Sequence, residues 1–101
     1  MTTTFALSTA DELTCPEPTS ITNAGSLVGV VSFTWDNCSS CNSYEVKYVR
    51  LSDGYTSPLF STASASITLT GLASGEYVFY FRTVCDGGVS GFIVIEDNIW
   101  T

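Results

Sequence analysis

The segment GEYVFYFRTVC, residues 75–85, changes side-chain character at every second position. Its two alternating sets are Tyr77, Phe79, Phe81 and Thr83 on one side and Val78, Tyr80, Arg82 and Val84 on the other. Successive side chains of a β-strand point to opposite faces. The period of two therefore predicts a strand whose first set, rich in aromatic rings, faces a hydrophobic core.

Shorter stretches with the same period lie elsewhere in the chain. Their predicted inward sets are Val31, Phe33 and Trp35, then Tyr44, Val46 and Tyr48, then Ile67 and Leu69. Further strands are expected at 19–24, as an edge strand at 55–62, and from 92 to 95. Turn-forming residues fall at 23–25, 52–54, 73–75 and 86–88, and no segment has a convincing helical period. Short strands at this spacing predict an all-β fold, an antiparallel β-sandwich of about seven strands.

Length and composition indicate one folded domain with an arm. The chain has 101 residues, of which 45% are hydrophobic and 13% charged, so a modest core is expected and disorder is not. Residues 1–14 are polar and rich in Thr, with no clear period, and we interpret them as an N-terminal extended arm. Residues 15–101 form the predicted domain.

The charge balance limits the kinds of partner. Three basic and ten acidic residues give a formal charge of −7, which repels phosphate backbones and anionic lipids. We therefore expect protein partners, with no nucleic acid and no membrane. The N-terminal residues lack the features of a secretory signal, and no run reaches transmembrane length, so synthesis and retention in the cytoplasm are expected.

The order of the motifs resembles a fibronectin type III domain. The segment from Val31 to Trp35 is similar to that family's second strand, and the segment from Tyr44 to Tyr48 to its third. The run from Leu69 to Phe81 resembles the corner before the sixth strand, where a Tyr hydroxyl bonds to nearby backbone. The resemblance implies an immunoglobulin-like sandwich. A Cys-x-x-Pro opening with a Cys closing the sixth strand resembles versions found in Bacteroidetes proteins and their phages.

The four cysteines are Cys15, Cys38, Cys41 and Cys85. The topology that the resemblance implies brings all four to one end of the sandwich. A CxxC pair with two distant partners suits a structural zinc ion held by four thiolates. It also suits two disulfides, Cys15–Cys85 and Cys38–Cys41, which would need an oxidising setting. Four free thiols are the third alternative.

The sequence contains no combination of residues typical of a catalytic site. The chain has no His, which removes the usual general base and the His partner of a Ser or Cys nucleophile. The carboxylates fall at turns and outward positions, where solvated surface charge is the ordinary interpretation. We therefore expect no enzyme, and no cofactor other than one structural zinc ion if the cysteines bind a metal.

Five aromatic residues are candidates for contact with another chain, because they do not fit the core pattern or lie near the termini. They are Phe5, Tyr55, Phe60, Tyr80 and Trp100. Lys47 and Arg82 are expected to point outward from adjacent strands and to pair with neighbours such as Glu45.

These features predict a non-enzymatic structural or interaction module. The favoured setting is an accessory or decorating protein of a larger assembly, such as the capsid or tail of a bacteriophage virion assembled in the host cytoplasm. The alternative is an extracellular binding or adhesion module, excised from a secreted multidomain protein.

Overall fold

The structure of the protein, a computed structural model, describes residues 15–38 and 41–99. This part of the chain contains eight β-strands and no helix. The strands are β1 (Thr22–Leu27), β2 (Val30–Thr34), β3 (Ser43–Arg50), β4 (Phe60–Thr62), β5 (Ser66–Leu69), β6 (Gly75–Cys85), β7 (Gly88–Val89) and β8 (Ile93–Ile99). In the part described, no helix is long and apolar enough to cross a membrane.

The strands form two antiparallel sheets that pack face to face. One sheet has three strands in the order β1-β2-β5, and the other has five, in which β4, β3 and β6 are followed by β7 and β8. The last two strands pair with different parts of β6, so they act together as one interrupted edge strand. The predicted fold class, an immunoglobulin-like antiparallel β-sandwich, is confirmed.

The core lies between the sheets and is dominated by aromatic rings. The inward set of β6 is at most 1% exposed, as is Phe33 on β2. The Phe33 ring lies 5.0 Å from that of Phe79 and 5.1 Å from that of Phe81, and Trp35 lies 5.3 Å from Tyr44. Burying each such ring stabilises the fold by about 1.5–3 kcal/mol. The period of two therefore identified the buried face correctly.

The turn before β6 forms the corner that the family resemblance implied. The Tyr77 hydroxyl donates a hydrogen bond of 2.8 Å to the carbonyl oxygen of Ala73. The Leu72 N–H donates to Gly29 O at 3.0 Å, which joins this corner to the turn between β1 and β2. Gly71 has a φ of 71°, a left-handed conformation that glycine adopts without steric penalty. The corner thus connects the two sheets at one end of the sandwich.

Strand β1 differs from its predicted position at 19–24. Residues 23–25 were expected to form a turn, but they form a β-bulge, and the register against β2 shifts between Asn23 and Gly25. The Asn23 side chain accepts a hydrogen bond of 2.8 Å from the Gly25 N–H, so the local polar contact shapes a bulge within the strand. The strand ends instead at Leu27, and Val28 and Gly29 form the turn to β2.

The predicted edge strand at 55–62 is much shorter than expected. Only Phe60–Thr62 forms a regular ladder with β3, and Thr56 makes an isolated bridge to Val49. Ser57 interrupts the ladder because its backbone N–H donates to Tyr48 O and its hydroxyl accepts from Tyr48 N–H, at 2.8 and 2.9 Å. The following Pro58 has no N–H to donate.

Replacing Tyr77 by Phe tests the corner. The change removes the bond to Ala73 O and keeps the buried ring, so we expect the free energy of unfolding to fall by about 1 kcal/mol. Urea denaturation followed by circular dichroism measures it. Tyr80→Phe on the same strand is the matched control, because the Tyr80 hydroxyl makes no hydrogen bond to the described residues. Equal losses in both variants would contradict the role of the corner.

Candidate functional site

Two features of the surface could carry function, and the first is a group of sulfurs at one end of the sandwich. We call Cys15, Cys38, Cys41 and Cys85 the cysteine pole. The structure pairs Cys15 with Cys85 and Cys38 with Cys41, with Cα–Cα distances of 5.8 and 5.4 Å. The two disulfides touch, because Cys85 Sγ lies 3.8 Å from Cys41 Sγ.

Three separate segments supply the sulfurs of the cysteine pole. Cys15 precedes β1, Cys38 and Cys41 lie in the connection from β2 to β3, and Cys85 is the last residue of β6. Two hydrogen bonds hold the connection, a backbone one from Asn42 N–H to Val84 O at 2.8 Å and one from Cys38 N–H to the Tyr44 side-chain hydroxyl at 2.8 Å. Cys15 Sγ lies 3.4 Å from Thr83 O.

The two disulfides stabilise the fold by different amounts. Cys15–Cys85 closes a loop with a sequence separation of 70, and Cys38–Cys41 closes one of 3. Crosslinks stabilise largely by restricting the unfolded chain, so the long loop is worth about 4 kcal/mol and the short one about 2 kcal/mol. The first bond attaches the segment before β1 to the longest strand of the opposite sheet.

Zinc and disulfides were the two main alternatives for these cysteines, and the structure has the disulfides. Sulfurs bonded to each other are not thiolates and do not ligate zinc. With both bonds formed, the described residues contain no group of three or more His, Cys, Asp or Glu side chains that could hold a metal ion.

The second surface feature is the outward side of the five-stranded sheet. We call Lys47, Tyr80, Arg82, Phe92 and Val94 the outer face. Lys47 lies opposite Tyr80 in the ladder, and Tyr80 lies opposite Val94. The Tyr80 and Phe92 rings meet edge to face with their centroids 5.8 Å apart. The outer face is thus a small aromatic surface crossed by two cations.

Both cations of the outer face lie over aromatic rings. The Lys47 Nζ is 5.3 Å from the centroid of Tyr80 and 5.0 Å from that of Phe92, and the Arg82 guanidinium is 4.7 Å from Phe92. Arg82 also makes a 2.7 Å salt bridge to Glu45, the expected pairing. Lys47 forms no salt bridge with any residue in the described part of the chain. These contacts hold the rings in place.

The remaining basic residue supports a turn. Arg50 donates to both carboxylate oxygens of Asp53, at 3.0 and 2.7 Å. This hydrogen bond from Arg50, with a further one from the Tyr55 N–H, lowers the pKa of Asp53 to about 2. The same pairing raises the pKa of Arg50. Asp53 is therefore an ionised turn residue and is unsuited to general acid or base work near neutral pH.

No arrangement of groups typical of a catalytic centre is present among residues 15–38 and 41–99. A shallow cleft at the end opposite the cysteine pole is lined by Leu51, Glu76, Tyr77, Glu96, Asp97 and Asn98. Its ionisable groups are carboxyls and a phenol, with no nucleophile paired to a base.

The predicted contact aromatics do not form one surface. Tyr55 is 47% exposed, beside Arg50, whereas Tyr80 is half-buried on the outer face. Phe60 lies on the inner side, against the core and stacked on Tyr48, because its ladder partner Val46 faces inward. Phe60 therefore packs against the core, although it did not fit the core pattern in the sequence. Phe5 and Trp100 lie outside the described residues.

Sequence reasoning missed Phe92 as part of the outer face. Phe92 was taken as the start of the last strand, but that strand begins at Ile93. The residue lies in the irregular link between β7 and β8, where the period of two no longer predicts which side a residue faces. The sequence did predict that Lys47 and Arg82 point outward from adjacent strands. That prediction was the available signal for a surface cluster near Phe92.

Comparisons with known proteins give the fold and nothing narrower. No protein-family model matches the sequence, and no curated protein does. The chain is similar to the solved fibronectin type III domain of the human collagen alpha-1(XX) chain, with 19% identity and a TM-score of 0.75, covering 87% of this chain and 88% of that one. At this identity the likeness establishes a common fold only.

Two further solved structures agree. A domain of human fibronectin type III domain containing protein 3 has 17% identity and a TM-score of 0.68, with 92% and 93% of the two chains covered. A protein named FN3tt has 21% identity and a TM-score of 0.67, with 83% and 92% covered. The resemblance to the fibronectin type III fold is confirmed. The cysteine-containing kind seen in Bacteroidetes proteins and their phages stays a prediction.

The unequal worth of the two disulfides can be measured with paired Ser variants, which leave no unpaired thiol. In oxidising, metal-free buffer, Cys15→Ser with Cys85→Ser is expected to lower the free energy of unfolding by about 4 kcal/mol. Cys38→Ser with Cys41→Ser should lower it by about 2 kcal/mol or less, because the closed loop is short. Urea denaturation gives both values. Larger destabilisation by the second pair would refute this assignment.

The Arg50–Asp53 contact predicts an acid titration. Asp53 should titrate near 2, below the ordinary value of about 3.9 for this side chain. Because its pKa is lower in the folded state, its stabilising effect is complete above about pH 4 and is lost as the pH falls toward 2. An NMR pH titration of the carboxyl carbon measures it. Arg50→Gln should move the pKa back up, and an unchanged value would disprove the cause.

Proposed function

We propose that this chain, with its fibronectin type III fold, is a non-enzymatic protein-binding module that docks a partner protein through the outer face. The observation that carries the proposal is the make-up of this face. Two aromatic rings and two cations are clustered on the sheet of a chain whose formal charge is −7. The binding cores of protein interfaces are enriched in Tyr, Phe and Arg and depleted in carboxylates and Lys, so Tyr80, Phe92 and Arg82 are the members of the outer face that match such a core.

The geometry of the outer face lowers the entropic cost of binding. Tyr80 and Phe92 already touch each other, and Lys47 and Arg82 lie over their rings. Side chains that are ordered before association lose less conformational freedom when the partner arrives. Tyr80 is also half-buried and lies within a regular strand. Its backbone therefore does not need to move when a partner binds.

The charges of the outer face indicate the chemistry of the partner. Arg82 is neutralised by Glu45, whereas Lys47 has no carboxylate partner in the part of the chain that the structure describes. A carboxylate on the partner can pair with the Lys47 ammonium while an adjacent apolar side chain covers Tyr80 and Val94. The expected ligand is therefore a protein segment with an acidic residue next to a large apolar one. Nucleic acid and membrane surfaces are not proposed, because the overall charge repels them.

Of the two settings, we favour the extracellular one. Disulfides persist in oxidising surroundings, and this supports a module that works outside the cell. A bacteriophage virion exposed after lysis meets the same redox condition, but the similar solved structures give no support for a virion role. The capsid or tail setting therefore stays a prediction from the sequence.

A peptide-display selection tests the proposed docking surface. A random peptide library is selected on the oxidised wild-type protein, and binding of the enriched peptides is then measured on single variants. We expect the peptides to carry a carboxylate beside an apolar residue and to bind Tyr80→Ala about 30-fold more weakly, as for an interface hot spot. Lys47→Gln should weaken the same peptides, since it removes the cation.

Tyr55→Ala is the matched control for that experiment. It removes an exposed Tyr at the far end of β3, away from the outer face, and should leave the affinities unchanged. Peptides that bind Tyr80→Ala and the wild type equally well, or that are lost only on Tyr55→Ala, would overturn the assignment of the surface. Failure of the library to yield any binder at micromolar concentrations would count against a peptide-binding module.

A further inference from the structure

We infer that the cysteine pole in its reduced form is a four-thiolate zinc site, so that the same residues join the same three segments either as two disulfides or through one metal ion. This inference does not depend on the proposed docking function. It assigns a metal-binding state to residues whose oxidised state the structure displays.

The positions of the sulfurs support this second state. In a tetrahedral site with Zn–S bonds of about 2.3 Å, neighbouring sulfurs are separated by about 3.8 Å. Cys85 Sγ and Cys41 Sγ, which belong to different disulfides, are already 3.8 Å apart. The Cα atoms within the two pairs are 5.8 and 5.4 Å apart, and we expect side-chain rotation to bring the four sulfurs to this separation once the S–S bonds are reduced.

Hydrogen bonds that do not involve sulfur also hold the segments around the cysteine pole. Ladder bonds between β3 and β6 place Ser43 opposite Val84, and Asn42 N–H donates to Val84 O at 2.8 Å. On the other side, Asp36 N–H donates to Thr19 O at 3.0 Å and keeps the segment after Cys15 beside the end of β2. Because none of these bonds involves sulfur, reduction does not remove them directly. The four thiols therefore stay close together, and a two-residue spacer lets one loop supply two of the ligands.

Access and charge also favour metal binding. All four cysteines are half-buried, so both a reductant and a metal ion can reach them. The formal charge of −7 attracts a divalent cation. The nearest carboxylate along the chain from Cys85 is Asp86, which accepts a hydrogen bond of 2.7 Å from the Asn42 amide. Four thiolates complete the coordination, so the zinc would be structural and would leave no open position for catalysis.

The conversion balances with a thiol reductant. Two equivalents of a dithiol supply four electrons and four protons, break both S–S bonds and leave as two cyclic disulfides. The four cysteine thiols then release four protons to solvent as four Zn–S bonds form. Two equivalents of a small-molecule disulfide reverse the change, taking up the four electrons and expelling Zn²⁺. Both states crosslink the segment before β1 to β6. The domain therefore keeps this crosslink in reducing and in oxidising surroundings.

Cobalt titration of the reduced protein tests the inference. The full chain is reduced anaerobically with a phosphine, freed of reductant and titrated with Co²⁺, followed by Zn²⁺. We expect one Co²⁺ per chain, with the visible absorption of tetrahedral cobalt bound by four thiolates, and its loss when Zn²⁺ displaces it. Zn²⁺ should raise the Tm of the reduced protein by at least ~5 °C and leave the oxidised protein unchanged.

Variants distinguish a four-thiolate site from weaker alternatives. Cys15→Ser should lose the four-thiolate spectrum and bind Co²⁺ at least tenfold more weakly, although the CxxC remains. Asp86→Asn should keep the spectrum, since its carboxylate is not a ligand.

Two outcomes would overturn the inference. One is reduced, folded wild-type protein that binds no Co²⁺, or binds it with a spectrum that Cys15→Ser does not change. The other is reduced protein that unfolds and that Zn²⁺ fails to refold.

Discussion

Strand β6 is hydrogen-bonded along both edges, to β3 on one side and to β7 and β8 on the other. Its register is therefore held by two ladders at once, and a shift by one residue would move its buried rings into solvent. Other features follow from this placement. The inward parity brings Tyr77 to the corner, the outward parity brings Tyr80 and Arg82 to the outer face, and the last residue of the strand, Cys85, reaches the cysteine pole.

The weakest part of the sandwich is also the part that the crosslink secures. All residues of β1 are exposed, and in the described structure this strand pairs only with β2. It therefore contributes little apolar burial, the main favourable term in folding. The bond from Cys15 to Cys85 attaches the segment before β1 to the best-buried strand of the opposite sheet. The cysteine pole thus supplies stability where packing does not.

Sequence reasoning was most reliable where burial is strong. The alternation in β2, β3 and β6 identified the core residues, because the inward positions are mostly apolar when the opposite face meets solvent, with Thr83 as the polar exception on β6. It was less reliable at the edges. Residues 23–25 suit a turn or a bulge equally well, and the choice depends on pairing with β2. Phe60 did not fit the core pattern in the sequence because its facing direction is set by its partner on β3, which local sequence does not reveal.

The sequence by itself determined the all-β class, the buried side of the main strands and the absence of His chemistry, because these depend on residue type and local period. Only the tertiary structure decided which distant groups meet. The contact between the two disulfides, and that of Lys47 with Phe92, join residues far apart in the chain. Such contacts depend on how the two sheets pack and on the direction of the irregular links between strands. Both are fixed by the packing of the whole sandwich and not by local sequence.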